Sequence, residues 1–482
     1  MKSIFHGTAR RPPPRRPFTN ALLSTVLALA MPAAALAASP EAEGSVYSNT
    51  RYLDDFSYLR DSARASDFWD GVKYIRLGDD PYGLGAPYLS LGGELRGRFE
   101  TYSNPNFGIK APPHDAYLLQ RLLLHGDLHL NDYIRGFLQL GSMQRIGTRG
   151  VPSTTDIDQL DLMQGFVDLR VPTPLGDAPT LRSGRQEVLL GFQRLVSVRE
   201  GPNVRRAFDG FRLFDSWNGA TIDLFALRPI QDKIGTFNDP PNPNQALWGA
   251  YATVPVWGGL KADLYWLGYE NDNAKFRRRI GEERRQSFGT RLFGKAAGWD
   301  WNEEAVLQVG SFRDHDIRAW MLASIVGYTF AGTPWTPRIG LEANASSGDN
   351  PRSGTIGTYN GLFPRLPYFA ETSLLVPSNV HDVRPVLSVK PLPDVTVVAG
   401  LDMLWRTSTH DALYGSGMVA YPGTAKATSN RVGDEASLDI RWRPDQHLTF
   451  GLIYAYFLAG GAITEANGHD VNFGVLFATY KF

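Results

Sequence analysis

The chain has 482 residues, with 49 basic and 49 acidic side chains, 49 Gly, 12% aromatic residues and no Cys. Lacking Cys, it has no disulfides and no thiolate metal sites, and the balanced charge excludes a broad basic surface of the kind that holds nucleic acid. Abundant Gly and aromatic residues, with no linker dividing the chain, fit one sheet-rich body better than several soluble domains.

Residues 1–37 read as a signal peptide. Lys2, Arg10, Arg11, Arg15 and Arg16 precede the apolar "ALLSTVLALAMPAAALAA", and Ala35-Leu36-Ala37 offers small residues for cleavage. A membrane anchor is the competing reading, but the stretch is short, contains Pro32 and ends in small residues. "RRPFTN" is a poor twin-arginine match because Pro17 follows the pair. Removing five basic and no acidic residues takes the balance from +0 to about −5. A positive site in the mature chain must therefore come from placement. Residues 38–87 form an N-terminal segment on the periplasmic side, in which "YLDDFSYLRDSARASDFWDGVKYIRLG" is expected to add a short helix or an extra layer.

From Tyr88 onward the period is two. In "YLSLGGELRGRFE", Leu89, Leu91, Gly93, Leu95 and Phe99 share one face, opposite Ser90, Glu94, Arg96, Arg98 and Glu100. Leu122, Leu124, Leu128 and Leu130 then alternate with Arg121, His125, Asp127 and His129, and Ile134, Leu138 and Leu140 with Arg135 and Gln139. Leu260, Ala262, Leu264 and Trp266 oppose Lys261, Asp263 and Tyr265, and Ala436, Leu438, Ile440 and Trp442 oppose Glu435, Asp439, Arg441 and Arg443. Strands of about ten residues, apolar on one face and polar on the other, rimmed by Trp and Tyr, are the pattern of an outer-membrane β-barrel. Residues 88–482 are accordingly expected to form an all-β, antiparallel transmembrane barrel of about eighteen strands. A soluble sandwich or solenoid is the bland alternative.

The connections support the barrel. Asn131-Asp132, Pro255 to Gly258, Ala297-Gly298, Pro391 to Asp394 and Pro444 to Gln446 are short, whereas "SMQRIGTRGVPSTTDIDQ", "IQDKIGTFNDPPNPN", Ser347 to Val380 and Thr407 to Asn430 are long. Short periplasmic turns and long outer loops are usual for bacterial barrels, and an even strand number leaves both ends in the periplasm. The chain stops on "VNFGVLFATYKF", with Leu476, Ala478, Tyr480 and Phe482 in alternation. Such an end is expected to close against the first strand, since an open edge in lipid leaves backbone groups unpaired.

"YLSLGGELRGRFE", "YLLQRLLLHGDLHL", "RQEVLLGFQRLVSVREGPNVRRAFDGFRL", "SNVHDVRPVLSV" and "RTSTHDALYG" resemble the alginate export porins of Gram-negative bacteria, over about Tyr52 to Phe482. The resemblance implies a monomeric eighteen-stranded barrel whose Arg-rich constriction passes a polyuronate outward. It also implies that the assembly machinery reads the C-terminal Phe482 strand. In such porins a long periplasmic turn between the sixteenth and seventeenth strands plugs the channel; here Arg443 to His447 is too short to do so.

The chain carries 39 Arg against 10 Lys. Arg offers a planar fork that matches a carboxylate in two parallel hydrogen bonds, which suits uronates. Arg96, Arg98, Arg121, Arg135 and Arg441 are expected on the inner face, and Arg185, Arg194, Arg199, Arg205, Arg206 and Arg212 around a third outer loop that folds inward. The bland reading pairs these Arg with Asp and Glu as wall braces. Expected partners are an anionic polysaccharide or small anions, and outer-membrane lipid. Uptake of small anionic or sugar solutes stays open beside polyuronate export.

No cofactor, metal site or catalytic residue is expected. His125 and His129 lie about 13 Å apart on a strand, too far to share a metal. No His-Glu-x-x-His or Gly-x-Ser-x-Gly motif occurs, and "SSGDNPRSG" has one acid, Asp349, too few for a calcium loop. A barrel hydrolase or a surface receptor remains a lesser alternative.

Overall fold

A computed structural model describes residues 47–149, 153–172, 178–276 and 279–482. The expected signal peptide lies outside them.

The period-two segments become eighteen strands among the described residues: β1 Tyr88–Ser103, β2 His114–His129, β3 Ile134–Ile146, β4 Asp158–Arg170, β5 Thr180–Gln186, β6 Phe208–Trp217, β7 Ala220–Pro229, β8 Gln245–Trp257 and β9 Leu260–Phe276. They continue as β10 Arg279–Ala296, β11 Trp299–Phe312, β12 His315–Thr329, β13 Arg338–Ser346, β14 Val380–Leu392, β15 Val395–Arg406, β16 Arg431–Trp442, β17 Leu448–Ala459 and β18 Val471–Lys481. Each pairs antiparallel with its chain neighbours, and β18 closes on β1 from Glu94↔Lys481 to Ser103↔Asn472. The seam continues past β18, where Phe482 and Gly93 exchange both backbone hydrogen bonds, at 2.8 and 3.0 Å. Gly93 permits this approach; a Cβ there would stand 2.6 Å from the Phe482 ring. No helix among the described residues is long and apolar enough to cross a membrane.

The faces are inverted relative to a soluble protein. Leu95, Leu122, Leu138, Leu264, Leu307 and Leu476 are exposed on the outer wall, while Glu94, Arg121, Gln139, Asp263, Gln308 and Asp402 are buried inside. Apolar surface faces outward because hydrocarbon is its solvent, and every strand amide must be satisfied by a neighbouring strand.

One end carries tight turns, the start of β1 and the C-terminal residue. Asn218-Gly219, Gly258-Gly259 and Ala297-Gly298 are two-residue turns with positive φ at both positions, the geometry that matches strand twist. Exposed Trp257, Trp299, Trp335 and Trp442 ring this end at the height where amphipathic rings meet a membrane interface. The other end bears the long loops, 230–244, 347–379 and 407–430 among them, as the sequence predicts; the Arg313-Asp314 turn and the connection from Phe276 to Arg279 are short exceptions.

The inner wall departs from the uniformly polar face expected from the sequence. Inward Leu247, Leu267, Val306 and Met321 are fully buried, packed on Val188, Leu195, Val196, Tyr359 and Phe363 from two loops. Those loops enter the barrel and need an apolar surface to rest on.

Candidate functional site

The loop 187–207 begins inside the barrel because β5 has only seven residues. It crosses the interior. Arg194 donates to Glu304 at 2.6 Å and Asn302 at 2.9 Å on β11, while Glu200 accepts from Arg121 on β2 at 2.5 Å. Asn203 anchors the return, its amide donating to the carbonyls of Gln120 and Gln144. The loop 347–379 meets it edge to edge: Phe363 N donates to Leu195 O at 2.8 Å, Arg365 N to Gln193 O at 3.0 Å, and Gly201 N to Leu366 O at 3.2 Å. Two segments thus share the middle of the ring.

Arg96 and Arg121 sit together beside Glu94 and Glu200, with Arg121 2.7 Å from Glu94 and Arg96 3.5 Å from Glu200. Arg205 grips Glu187 with two bonds, at 2.5 and 2.8 Å, and also meets Glu200. Arg98 pairs with Glu100 at 2.5 Å and Arg441 with Asp439 at 2.7 Å, each on its own strand. Arg135 holds Asp127 at 2.7 Å, Arg199 holds Asp232 at 2.7 Å, Arg185 holds Asp209 at 3.0 Å, and Arg212 bonds Asp223. Ten of the eleven arginines singled out in the sequence therefore touch a carboxylate, Arg194 through Glu304.

Arg206 is the exception. Among the described residues its guanidinium reaches only the carbonyls of Ser197 and Pro364, and it stands 5.2 Å over the Phe363 ring. Arg365 is like it but was missed in the sequence, where nothing marks it within a long loop. It donates to Tyr368 O at 3.4 Å, lies 4.6 Å over Phe192 and, among the described residues, has no ion pair with a carboxylate. Both are partly exposed to the interior. Two permanent positive charges thus lie at the crossing of the inner loops, held by π faces and carbonyl dipoles.

The N-terminal segment reaches the same interior from the turn end. Arg51 donates to Gly93 O at 2.5 Å and to Phe482 O at 2.9 Å, and Lys73 to Leu91 O at 2.7 Å. Tyr52 packs on Phe137 and Phe166 and donates to Glu187 O at 3.0 Å, where the crossing loop begins. The Trp69 ring lies tilted 4.5 Å from that of Phe482, and Asp67 binds His447 at 2.8 Å. The turn 443–447, too short to enter the barrel, thus becomes a dock for this segment.

Two lesser candidates resolve into structure. His129 leans on Asp127 at 3.2 Å while His125 stacks on Phe137. Asp349 accepts from Gly357 N at 3.0 Å and staples its own loop.

The alginate export family matches residues 87–477. The chain belongs to the alginate export family. No curated protein matches it in sequence. Its barrel is similar to those of OccK11 (OpdR) from Pseudomonas aeruginosa, at 12% identity and TM-score 0.55 over 82% of this chain and 96% of that one, and of OccAB1 from Acinetobacter baumannii, at 11%, 0.56, 82% and 96%. OccK2 (OpdF) from Pseudomonas aeruginosa, solved in complex with glucuronate, gives 12%, 0.55, 82% and 98%. At such identities the likeness concerns fold alone. The protein is an outer-membrane channel of porin type.

Proposed function

We propose that this alginate export family protein passes an anionic polysaccharide of the polyuronate type down its gradient, as a monomer and without chemical change to the cargo. The observation that carries the reading is the pair Arg206 and Arg365, which make no ion pair among the described residues, at the crossing of two inward loops. A carboxylate moving through meets guanidinium groups that replace its water and counterions. The ten arginines already paired with Asp or Glu brace the wall and loops, so the passage binds weakly and repeatedly instead of trapping the chain. Residues 47–77 act as a stopper on the periplasmic side, and Phe482 presents the closing strand to the assembly machinery.

A second reading is uptake of small anionic or sugar solutes. The barrel likeness to Occ porins, one of them solved with glucuronate, favours it. Single-channel recording in planar bilayers distinguishes the two. Polyuronate oligomers are expected to block an anion-selective current, with longer oligomers blocking at lower concentration; block by the monomer alone favours small-solute uptake. Replacing Arg206 and Arg365 by Gln moves the reversal potential toward cation preference and relieves the block. An unchanged reversal potential, or cation selectivity in the unaltered protein, defeats both anion readings.

A further inference from the structure

We propose that Asp158, Asp161 and Asp239 form a divalent-cation site of the Ca2+ type that ties the outer loop 230–244 to the head of β4. One oxygen from each carboxylate lies within 4.8 Å of the others. That is the span of two Ca–O bonds of about 2.4 Å, and carboxylates alone are hard-cation donors.

An acidic cluster by itself means little, but here the protein satisfies two members and leaves the third. Asp161 accepts from the amides of Leu162, Asn238 and Asp239, and stands 3.6 Å from Arg185. Asp239 accepts from Lys233 N at 2.6 Å, and its carbonyl takes Arg185 Nη2 at 2.8 Å. Asp158 has 0% of its surface exposed, and neither carboxylate oxygen has a hydrogen-bond partner among the described residues. A buried carboxylate facing two others is costly unless a positive charge completes it. Arg185 offsets one of the three charges and divides itself between Asp161 and Asp209. The remaining charge of about −2 matches a divalent ion, with water filling the other positions of a six- to eight-oxygen shell.

The site lies at a junction. Leu160 and Thr236 bridge β4 to the loop, Phe237 N donates to Leu160 O at 2.9 Å, and Asp232 of the same loop holds Arg199 of the crossing loop. A bound cation therefore fixes the loop 230–244 and, through it, the root of the crossing loop.

The test uses the full mature chain in detergent. Calorimetric titration with CaCl2 after EDTA treatment is expected to show one site, and Ca2+ to slow tryptic cleavage after Lys233 by about 1 + [Ca2+]/Kd, roughly tenfold at ten times Kd. Asp158→Asn, of equal size, and Asp239→Asn, outside the strands, are each expected to abolish that protection while the barrel stays folded. The proposal is overturned if the unaltered protein takes up no Ca2+ at millimolar concentration, or if either variant keeps the full protection. It is equally overturned if Asp158→Asn protects Lys233 without Ca2+ and Ca2+ leaves the unaltered protein unchanged, since the carboxylates would then be sharing a proton.

Discussion

Arg206 and Arg121 have the same side chain and opposite prospects. Arg121 is 1% exposed between Glu94 and Glu200, so removing it would strand a buried charge at a cost of about 3–5 kcal/mol. Arg206 has no carboxylate to strand, which is why neutralising it should report on cargo and not on folding. Lys73 makes a different point. Its ammonium is buried among Tyr47, Phe56 and Phe482, and burial pulls it from 10.5 down to about 7. A lowered lysine binds fewer protons docked than released between about pH 7 and 10.5. Docking of the N-terminal segment therefore strengthens as pH rises through that window, by up to about tenfold per pH unit, and is weakest below pH 7. Hydrogen exchange of residues 70–77, corrected for intrinsic rate, should follow this slope, and Lys73→Met should flatten it. A slope of opposite sign rules the account out.

At the scale of elements, the segment 47–77 packs a small cluster of its own, Tyr47, Phe56 and Leu59, and is fastened to the barrel at three places. Tyr52 reaches the crossing loop, Arg51 the strand seam and Asp67 the turn 443–447. A segment with so small a core of its own is expected to open before the barrel does. Deleting residues 47–77 is expected to raise single-channel conductance severalfold with the barrel intact, as judged by unheated gel mobility. Equal conductance would make the segment a fastener and not a stopper. The crossing loop owes its position to strand length: β5 ends after seven residues while β4 runs for thirteen, so the chain leaves the wall early and must turn inward.

For the whole molecule, closure is the condition of existence in lipid. The last residue contributes two backbone hydrogen bonds to Gly93 and a ring beneath Trp69 and Lys73. Removing Phe482 is expected to cost about 1–3 kcal/mol of seam stability and to lower the fraction of heat-modifiable folded barrel. A full yield of folded protein would show that closure tolerates one missing register pair.

The sequence by itself determined the barrel. Alternation along "YLSLGGELRGRFE", the short turns and the closing aromatic strand are local signals, because a strand's faces and a hairpin's residues depend on neighbours one or two positions away. It also marked Arg96, Arg121, Arg194, Arg199, Arg205 and Arg212, but not the equally buried Arg182, Arg285, Arg291 and Arg384. What only the tertiary structure decided was which charges remain free and what fills the ring. Arg365 differs from a wall brace only because no carboxylate folds beside it, and Asp158, Asp161 and Asp239 converge from a strand and a loop about eighty residues apart. Leu247 and Met321 face inward because two loops come to cover them. Pairings of that kind are set by where distant segments meet, and a period of two records only which way each side chain points.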